Sequence, residues 1–191
     1  GQGSNTVPSQ IAAEALSLSM DMIHYAPRVD TEFSPHEWQT VARHTTWAVG
    51  NAVRLAAADA LRQLKTAAAE VLGVSVENLE ARDGKVFPNG KPERFVSYGA
   101  LAIGYRRSDG SALNPPIVGR GTFVPQGLTF PDPATGQGNL AASWTFGCQG
   151  ADVEVDLDTG QIRVLRLISA QDAGRILNPG AARGQIERAM I

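Results

Sequence analysis

Three short runs of glycine, glutamine and threonine are the parts of this chain best suited to chemistry. Gly1-Gln2-Gly3 leads into a helical pattern that opens at Thr6. Glycine lets the backbone approach a ligand closely, and the amides of a helix's first turn point outward as anion donors. The glutamine amide adds an acceptor and two donors. Arg43-His44-Thr45-Thr46 stands just before the longest helical pattern in the chain, where hydroxyl donors and a helix dipole could hold an anion. Asp172-Ala173-Gly174, Asn178-Pro179 and Gly184-Gln185 make a second glycine–glutamine step around another helix start. Of the three, the Gly1-Gln2-Gly3 donors suit a polyphosphate or the edge of a pterin. Each run also has an ordinary structural reading. Gly1 to Gly3 can be a plain turn, and Thr45 or Thr46 a threonine N-cap. The third run can be a strand-to-helix connector in which Asn178 caps and Pro179 takes the first helical position.

Other reactive side chains point to structural roles. His24, His36 and His44 lie twelve and eight residues apart, a spacing that matches no helical or hairpin ligand pair. Cys148 has no histidine or carboxylate beside it and reads as a small buried hydrophobe. Asp152, Glu154 and Asp156 alternate along a strand and read as a solvated face. There is no Ser-His-Asp signature and no phosphate-binding Walker loop. The opening glycines have no strand before them, as a dinucleotide fingerprint requires.

The elements that position these runs follow from apolar periodicity. Ile11, Ala12, Ala15 and Leu16 predict a helix over 6–18, with Pro8 tolerated in its first turn. Met22, Ile23 and Tyr25 suggest a brief strand, and 27–43 a long functional loop. Val49, Val53, Ala56, Ala60, Leu64, Ala68 and Val71 form one stripe of a helix over 45–72, with Gly73 as its C-cap. A hairpin turning at Asp83-Gly84, a short helix over 97–103 and a strand over 117–124 follow. Alternation before Asp158-Thr159-Gly160 and the apolar run 162–168 give a second hairpin. A helix opens at Asn178-Pro179. No internal repeat is read. The fold class is therefore α+β, an antiparallel sheet packed with helices, one of them long.

Composition bounds the function. The 191 residues are 43% hydrophobic and carry a net charge of −2, from 17 basic and 19 acidic residues. That charge lacks the basic footprint of a nucleic-acid binder. No run approaches the roughly 20 apolar residues of a membrane span. A single cysteine rules out an intrachain disulfide and an iron–sulfur cluster held by this chain alone. The lone thiol fits the cytoplasm, with the periplasm as the alternative.

The order of the motifs carries a resemblance. Gly-Gln-Gly-x-x-Thr running into Gln10-Ile11-Ala12-Ala13-Glu14 resembles the start of the second half of the molybdopterin-binding subunit in the xanthine dehydrogenase and aldehyde oxidase family. Arg43-x-Thr-Thr with Gly50-Asn51-Ala52-Val53 is similar to that family's next cofactor loop and helix. Phe146-Gly147, the run from Ala151 to Asp156, and Thr159-Gly160 resemble its hairpin. Asp172-x-Gly, Asn178-Pro179 and Gly184-Gln185-Ile186-Glu187 resemble its third cofactor segment. The likeness covers nearly the whole chain in colinear order.

The resemblance implies hydroxylation of aldehydes or N-heteroaromatic compounds with oxygen from water. It implies a molybdopterin cofactor, in the cytosine dinucleotide form of bacterial relatives, with molybdenum held by the pterin dithiolene and not by protein ligands. Gly1, Gln2, Gly3, Arg43, His44, Thr45, Thr46 and Gln185 become the cofactor contacts, and losing one buried hydrogen bond among them should cost on the order of 1–3 kcal/mol of affinity. The expected partners are the remaining segments of the subunit, an iron–sulfur subunit and an FAD subunit, those partners carrying the iron–sulfur clusters and the flavin. Residues 1–191 read as part of a molybdopterin-binding domain that stops before the family's catalytic glutamate. No catalytic residue is therefore expected in this segment, and the isolated chain is expected to be inactive and prone to self-association. Two departures stand out: Arg188-Ala189 where the family has a glycine pair, and Asn5 where many members have histidine. A non-catalytic scaffold that keeps the fold without cofactor is the competing reading.

Overall fold

The computed structural model describes residues 2–26, 28–32, 34, 40 and 44–190. They form two units, Ser4–Val124 and Pro125–Ile191, the second also including Gly1–Gly3. Most of the 27–43 loop, with Arg43, lies outside the described residues, as does Gly1.

In the first unit, helix α1 spans Thr6–Leu16. It stops two residues short of the sequence expectation because Ser17 turns left-handed, φ 51°. The Leu18 N–H then donates to the Ala13 carbonyl (2.9 Å), closing the end as in a Schellman cap. Tertiary contacts hold that end. The Asp83 N–H donates to the Ser17 carbonyl (3.0 Å), and the Tyr98 hydroxyl to the Leu16 carbonyl (3.3 Å). The expected brief strand at Met22–Tyr25 is instead a single 3₁₀ turn, Met20–Met22, followed by extended backbone at Ile23.

The long helix begins with a π-helical turn, Thr45–Val49, and continues as α2, Gly50–Leu72. Gly73 ends it at φ 62°, as expected. The Arg94 guanidinium donates to the Leu72 carbonyl, placing a cation on the orphan carbonyls of the C-terminus. β1 (Leu79–Arg82) and β2 (Lys85–Pro88) pair antiparallel around Asp83 (φ 51°) and Gly84 (φ 72°), the left-handed pair of a two-residue hairpin. β3 (Val96–Ser97) adds antiparallel to β2. Ser97 then caps α3 (Tyr98–Ala102) by accepting from the Ala100 N–H at 3.2 Å.

The core lies between the C-terminal half of α2 and this three-stranded sheet. It comprises Leu64, Ala67, Ala68 and Leu72 from the helix, Leu79, Val86 and Val96 from the sheet, and Leu101 from α3. The expected α2 stripe holds at Leu64 and Ala68 in the core, at Val71 packed against it, and at Ala56 and Ala60 beneath Gly119, and the buried face widens to Ala57, Ala67 and Leu72. At the other end of α2, α1 packs so closely that a methyl group on Gly50 would stand 2.8 Å from Ile11 Cδ1.

Among the described residues no strand pairs with the segment 117–124, which was expected as a strand. It lies on α2, and a helix offers no ladder because its own backbone groups are already bonded. Two α2 side chains substitute for one. Gln63 donates to the Val118 carbonyl (2.9 Å) and accepts from its N–H (3.4 Å), while the Arg120 N–H donates to Asp59 Oδ2 (3.1 Å). A Cβ on Gly119 would run into the Ala56 carbonyl and stand 2.9 Å from Ala60 Cβ. One on Gly121 would strike the Ala52 carbonyl and the Ala56 nitrogen. Only glycine at both positions lets this strap lie flat.

In the second unit, β4 (Phe146–Val155) and β5 (Ile162–Asp172) form the expected hairpin, with a bulge where Asp152 pairs with Arg166 and Val153 with Val164. Its turn is Asp156-Leu157-Asp158-Thr159-Gly160-Gln161. The same turn occurs once more: Asp132-Pro133-Ala134-Thr135-Gly136-Gln137 shares its Asp, Thr, Gly and Gln and makes the same bonds. In each copy the aspartate carboxylate accepts two N–H groups, from Ala134 and Thr135 (2.9 and 2.8 Å) or from Asp158 and Thr159 (2.9 Å each). Helix α4 (Pro179–Ala189) closes the chain.

Candidate functional site

The candidate residues divide between the two units. His44, Thr45 and Thr46 belong to Ser4–Val124, whereas Gln2, Gly3 and Gln185 belong with Pro125–Ile191.

At the first location the threonine N-cap reading fails. His44 already has helical angles, φ −50° and ψ −41°, and among the described residues no side chain caps this turn. Thr45 sits inside the π turn at 9% exposure, and its hydroxyl meets that of Thr40 at 2.5 Å. Thr46, the next residue, is exposed. The wider π turn is braced at Trp47: its carbonyl accepts from Asn51 Nδ2 (2.8 Å), and its indole meets the His44 ring edge-on with centroids 6.4 Å apart. π-Helical turns inside α-helices occur frequently at functional sites.

At the second location the local chemistry matches the connector reading in detail. The Gly174 N–H donates to Asp172 Oδ1 (2.9 Å), with Gly174 at φ 63°. Asn178 Oδ1 accepts from the Ala181 N–H (3.0 Å), and Pro179 stands at the start of α4. That connector aims α4, whose exposed residues include Gln185. Arg183 and Glu187 pair at 2.6 Å, which holds the guanidinium even more firmly charged than usual. Gln2 is exposed, and Gly3 takes φ 80°, a conformation suited to glycine.

The acidic strand face is structural. Asp152 pairs with Arg166 (2.8 Å) and Glu154 with Arg163 (3.6 Å). Backbone and hydroxyl donors from Thr159, with the Asp158 N–H, hold the Asp156 carboxyl below the ordinary aspartate range. Cys148, expected to be buried, is exposed on β4, because the outer surfaces of this two-stranded sheet are open along their length. Among the described residues no group of three or more His, Cys, Asp or Glu could hold a metal ion.

Taken within each unit separately, the described candidates are of a kind that binds anionic, oxygen-rich groups. The described candidates are amides, hydroxyls, an imidazole and glycine backbone, with no carboxylate. No acidic side chain lies in the first turn of α1, the π turn, α2 or α4. Sequence reasoning missed the strap, whose signal was Gly119 and Gly121 inside an apparent strand, where glycine marks close backbone approach.

Comparison with known proteins agrees with the sequence resemblance. The 6-hydroxypseudooxynicotine dehydrogenase complex subunit gamma of Paenarthrobacter nicotinovorans is 29% identical over 194 residues, covering 100% of this chain and 22% of that protein. The xanthine dehydrogenase molybdenum-binding subunit of Escherichia coli O157:H7 is 28% identical over 193 residues, covering 100% of this chain and 23% of that protein. The crystal structure of a Cu,Mo-CO dehydrogenase in its carbon monoxide reduced state superposes with a TM-score of 0.74 at 25% identity, over 100% of this chain and 22% of that one. The chain thus spans less than a quarter of the length of these relatives. The sequence model of the molybdopterin cofactor-binding domain matches residues 1–191, and the chain belongs to that family.

Proposed function

We propose that this chain supplies part of the cofactor-binding wall of an oxidoreductase that hydroxylates aldehydes or N-heteroaromatic compounds. The carrying observation is the family match over all 191 residues. The carboxylate-free donor set supports it. The backbone of Gly1 to Gly3 and the segment Arg43 to Thr46 would hold phosphate or pterin oxygens of a molybdopterin cytosine dinucleotide. Gln2 and Gln185 would each offer an amide to the same cofactor. Thr46, being exposed, is the hydroxyl donor of its pair, since the Thr45 hydroxyl is engaged by Thr40. When bound, the cofactor supplies two-electron redox chemistry, and this chain's residues bind and orient it. An iron–sulfur subunit and an FAD subunit complete the proposed assembly. The isolated chain is proposed to be inactive.

The test is cofactor content in the full complex. Gln2→Ala, Thr46→Val and Gln185→Ala should each weaken retention of molybdenum and pterin by about 5- to 150-fold, from the 1–3 kcal/mol worth of a lost buried hydrogen bond. Wild-type complex purified free of both would overturn the proposal. A non-catalytic scaffold is the second reading, motivated by α4 continuing through Arg188-Ala189, where the family resemblance leads one to expect a glycine pair.

A further inference from the structure

We infer that Phe123 is a positioning residue for the cofactor segment His44–Thr46 and acts through Trp47; this rests on the reading of that segment as a cofactor contact. Trp47 follows Thr46 directly in the π turn. Its indole meets the Phe123 ring edge-to-face, with centroids 5.1 Å apart and planes at 89°, and it also meets the His44 ring at 71°. A line of ring contacts therefore runs from Phe123 through Trp47 to His44.

Phe123 is itself held in register. Gly119 and Gly121 seat the strap on successive turns of α2, against Ala56 and Ala60 and against Ala52 and Ala56. Asp59 and Gln63 bind the strap's main chain at Arg120 and Val118. Sliding by one residue would put a side chain where only glycine fits, so the ring cannot be moved along the helix. Among the described residues no side chain caps the π turn. Its braces include the Thr40–Thr45 hydroxyl pair, the Asn51 amide and this ring contact. Removing the Phe123 ring frees the indole and, with it, the orientation of His44 and Thr46.

The experiment compares Phe123→Ala, Phe123→Tyr and Phe95→Ala in the full complex. It measures molybdenum and pterin content, the rate at which cofactor is lost on dialysis, and the melting temperature of cofactor-free protein. Phe95 is an exposed ring on the same unit, its centroid 4.2 Å from Lys85 Nζ, and it is not among the rings described as meeting Trp47, so it serves as a control for general packing loss. Phe123→Ala should lose cofactor about two- to tenfold faster than wild type, the range an edge-to-face aromatic pair can supply. Phe123→Tyr, which keeps the ring, should restore retention, and Phe95→Ala should leave it unchanged. Normal retention in Phe123→Ala overturns the inference. So does loss in Phe123→Tyr as severe as in Phe123→Ala, or loss in Phe95→Ala matching its fall in melting temperature. A wild-type complex without cofactor instead overturns the proposed function on which the inference rests.

Discussion

Replacing Gly121 by alanine tests how the strap is held. The added methyl would meet the Ala52 carbonyl, the Ala56 nitrogen and, at 2.9 Å, the Leu55 carbonyl carbon. All three are helix backbone and cannot rotate away. Either α2 distorts or the strap lifts. Overpacking of this kind costs about 1–3 kcal/mol, and lifting sets the ceiling, because the cost cannot exceed the strap's own docking free energy. A lifted strap exposes the Val118 and Arg120 amides, now bonded to Gln63 and Asp59. Hydrogen exchange on peptides covering 117–123 should therefore speed up by about 5- to 150-fold. Gly119→Ala should act alike, through the Ala56 carbonyl and Ala60 Cβ. The double variant decides the mechanism. Once one alanine lifts the strap, the second has nothing left to strike, so it should add less than about 0.5 kcal/mol. Unchanged exchange at Arg120 in Gly121→Ala, or full additivity of the two substitutions, would refute the reasoning.

Asn178→Ala should destabilise the start of α4 by about 1 kcal/mol, the usual worth of an N-cap, read as faster exchange at the Ala181 and Ala182 amides. Tyr98 titrates at about 12, above the usual 10.0, because burial disfavours its anion and Asp83 stands nearby. Its folded pKa is raised, so the stability it contributes is intact below about pH 10 and is lost as pH rises through about 12. Denaturation midpoints should fall across that window, and Tyr98→Phe should flatten the fall; an unflattened fall would place its cause elsewhere. The isolated chain should self-associate, since Phe146, Leu157, Ile162 and Leu165 on and beside the two-stranded sheet are all more than half exposed. Sedimentation showing a monomer at high concentration would contradict this.

Local chemistry was legible where it decided the outcome. The Asp83-Gly84 turn, the Gly73 stop and the Asn178-Pro179 helix start need only φ preferences and a capping carboxamide, and each formed as read. What escaped was set by contacts distant in sequence. The end of α1 is fixed by Asp83 and Tyr98, more than sixty residues away. The segment 117–124 has strand-like residues, but it docks on α2, and a one-dimensional pattern cannot say that a helix is the partner. Thr45 resembled an N-cap because hydroxyls before an apolar stripe usually are; here helical backbone already includes His44, and the hydroxyl turns to Thr40. Of the candidate contacts, the residue types were legible in the motifs. The strap that braces one of them was not.

The twin turns show what such chemistry can and cannot decide. Asp132 and Asp156 make the same bonds: each accepts through its own carbonyl from the glycine four residues on, at 2.8 Å in both. Thr135 and Thr159 each accept from the glutamine two residues on, at 3.3 Å in both. The carboxylate of each aspartate lies below its ordinary range because of the threonine N–H it accepts. Yet one turn joins strands of 10 and 11 residues and the other joins none. The difference lies in the flanks. Val153, Val155, Ile162 and Val164 are β-branched and continue the ladder. Beside the other turn, Pro131 has no N–H to donate and Gly138 has no side chain to pack, so flank pairing is limited to Asn139: it and Thr129 each bond the other's N–H, and its side-chain amide donates to the Gly127 carbonyl (2.7 Å). A turn of this design fixes the reversal and its register, and the residues beyond it determine whether a sheet grows. Reading by alternation found only the copy with strands attached, because the signal it used belonged to the flanks and not to the turn.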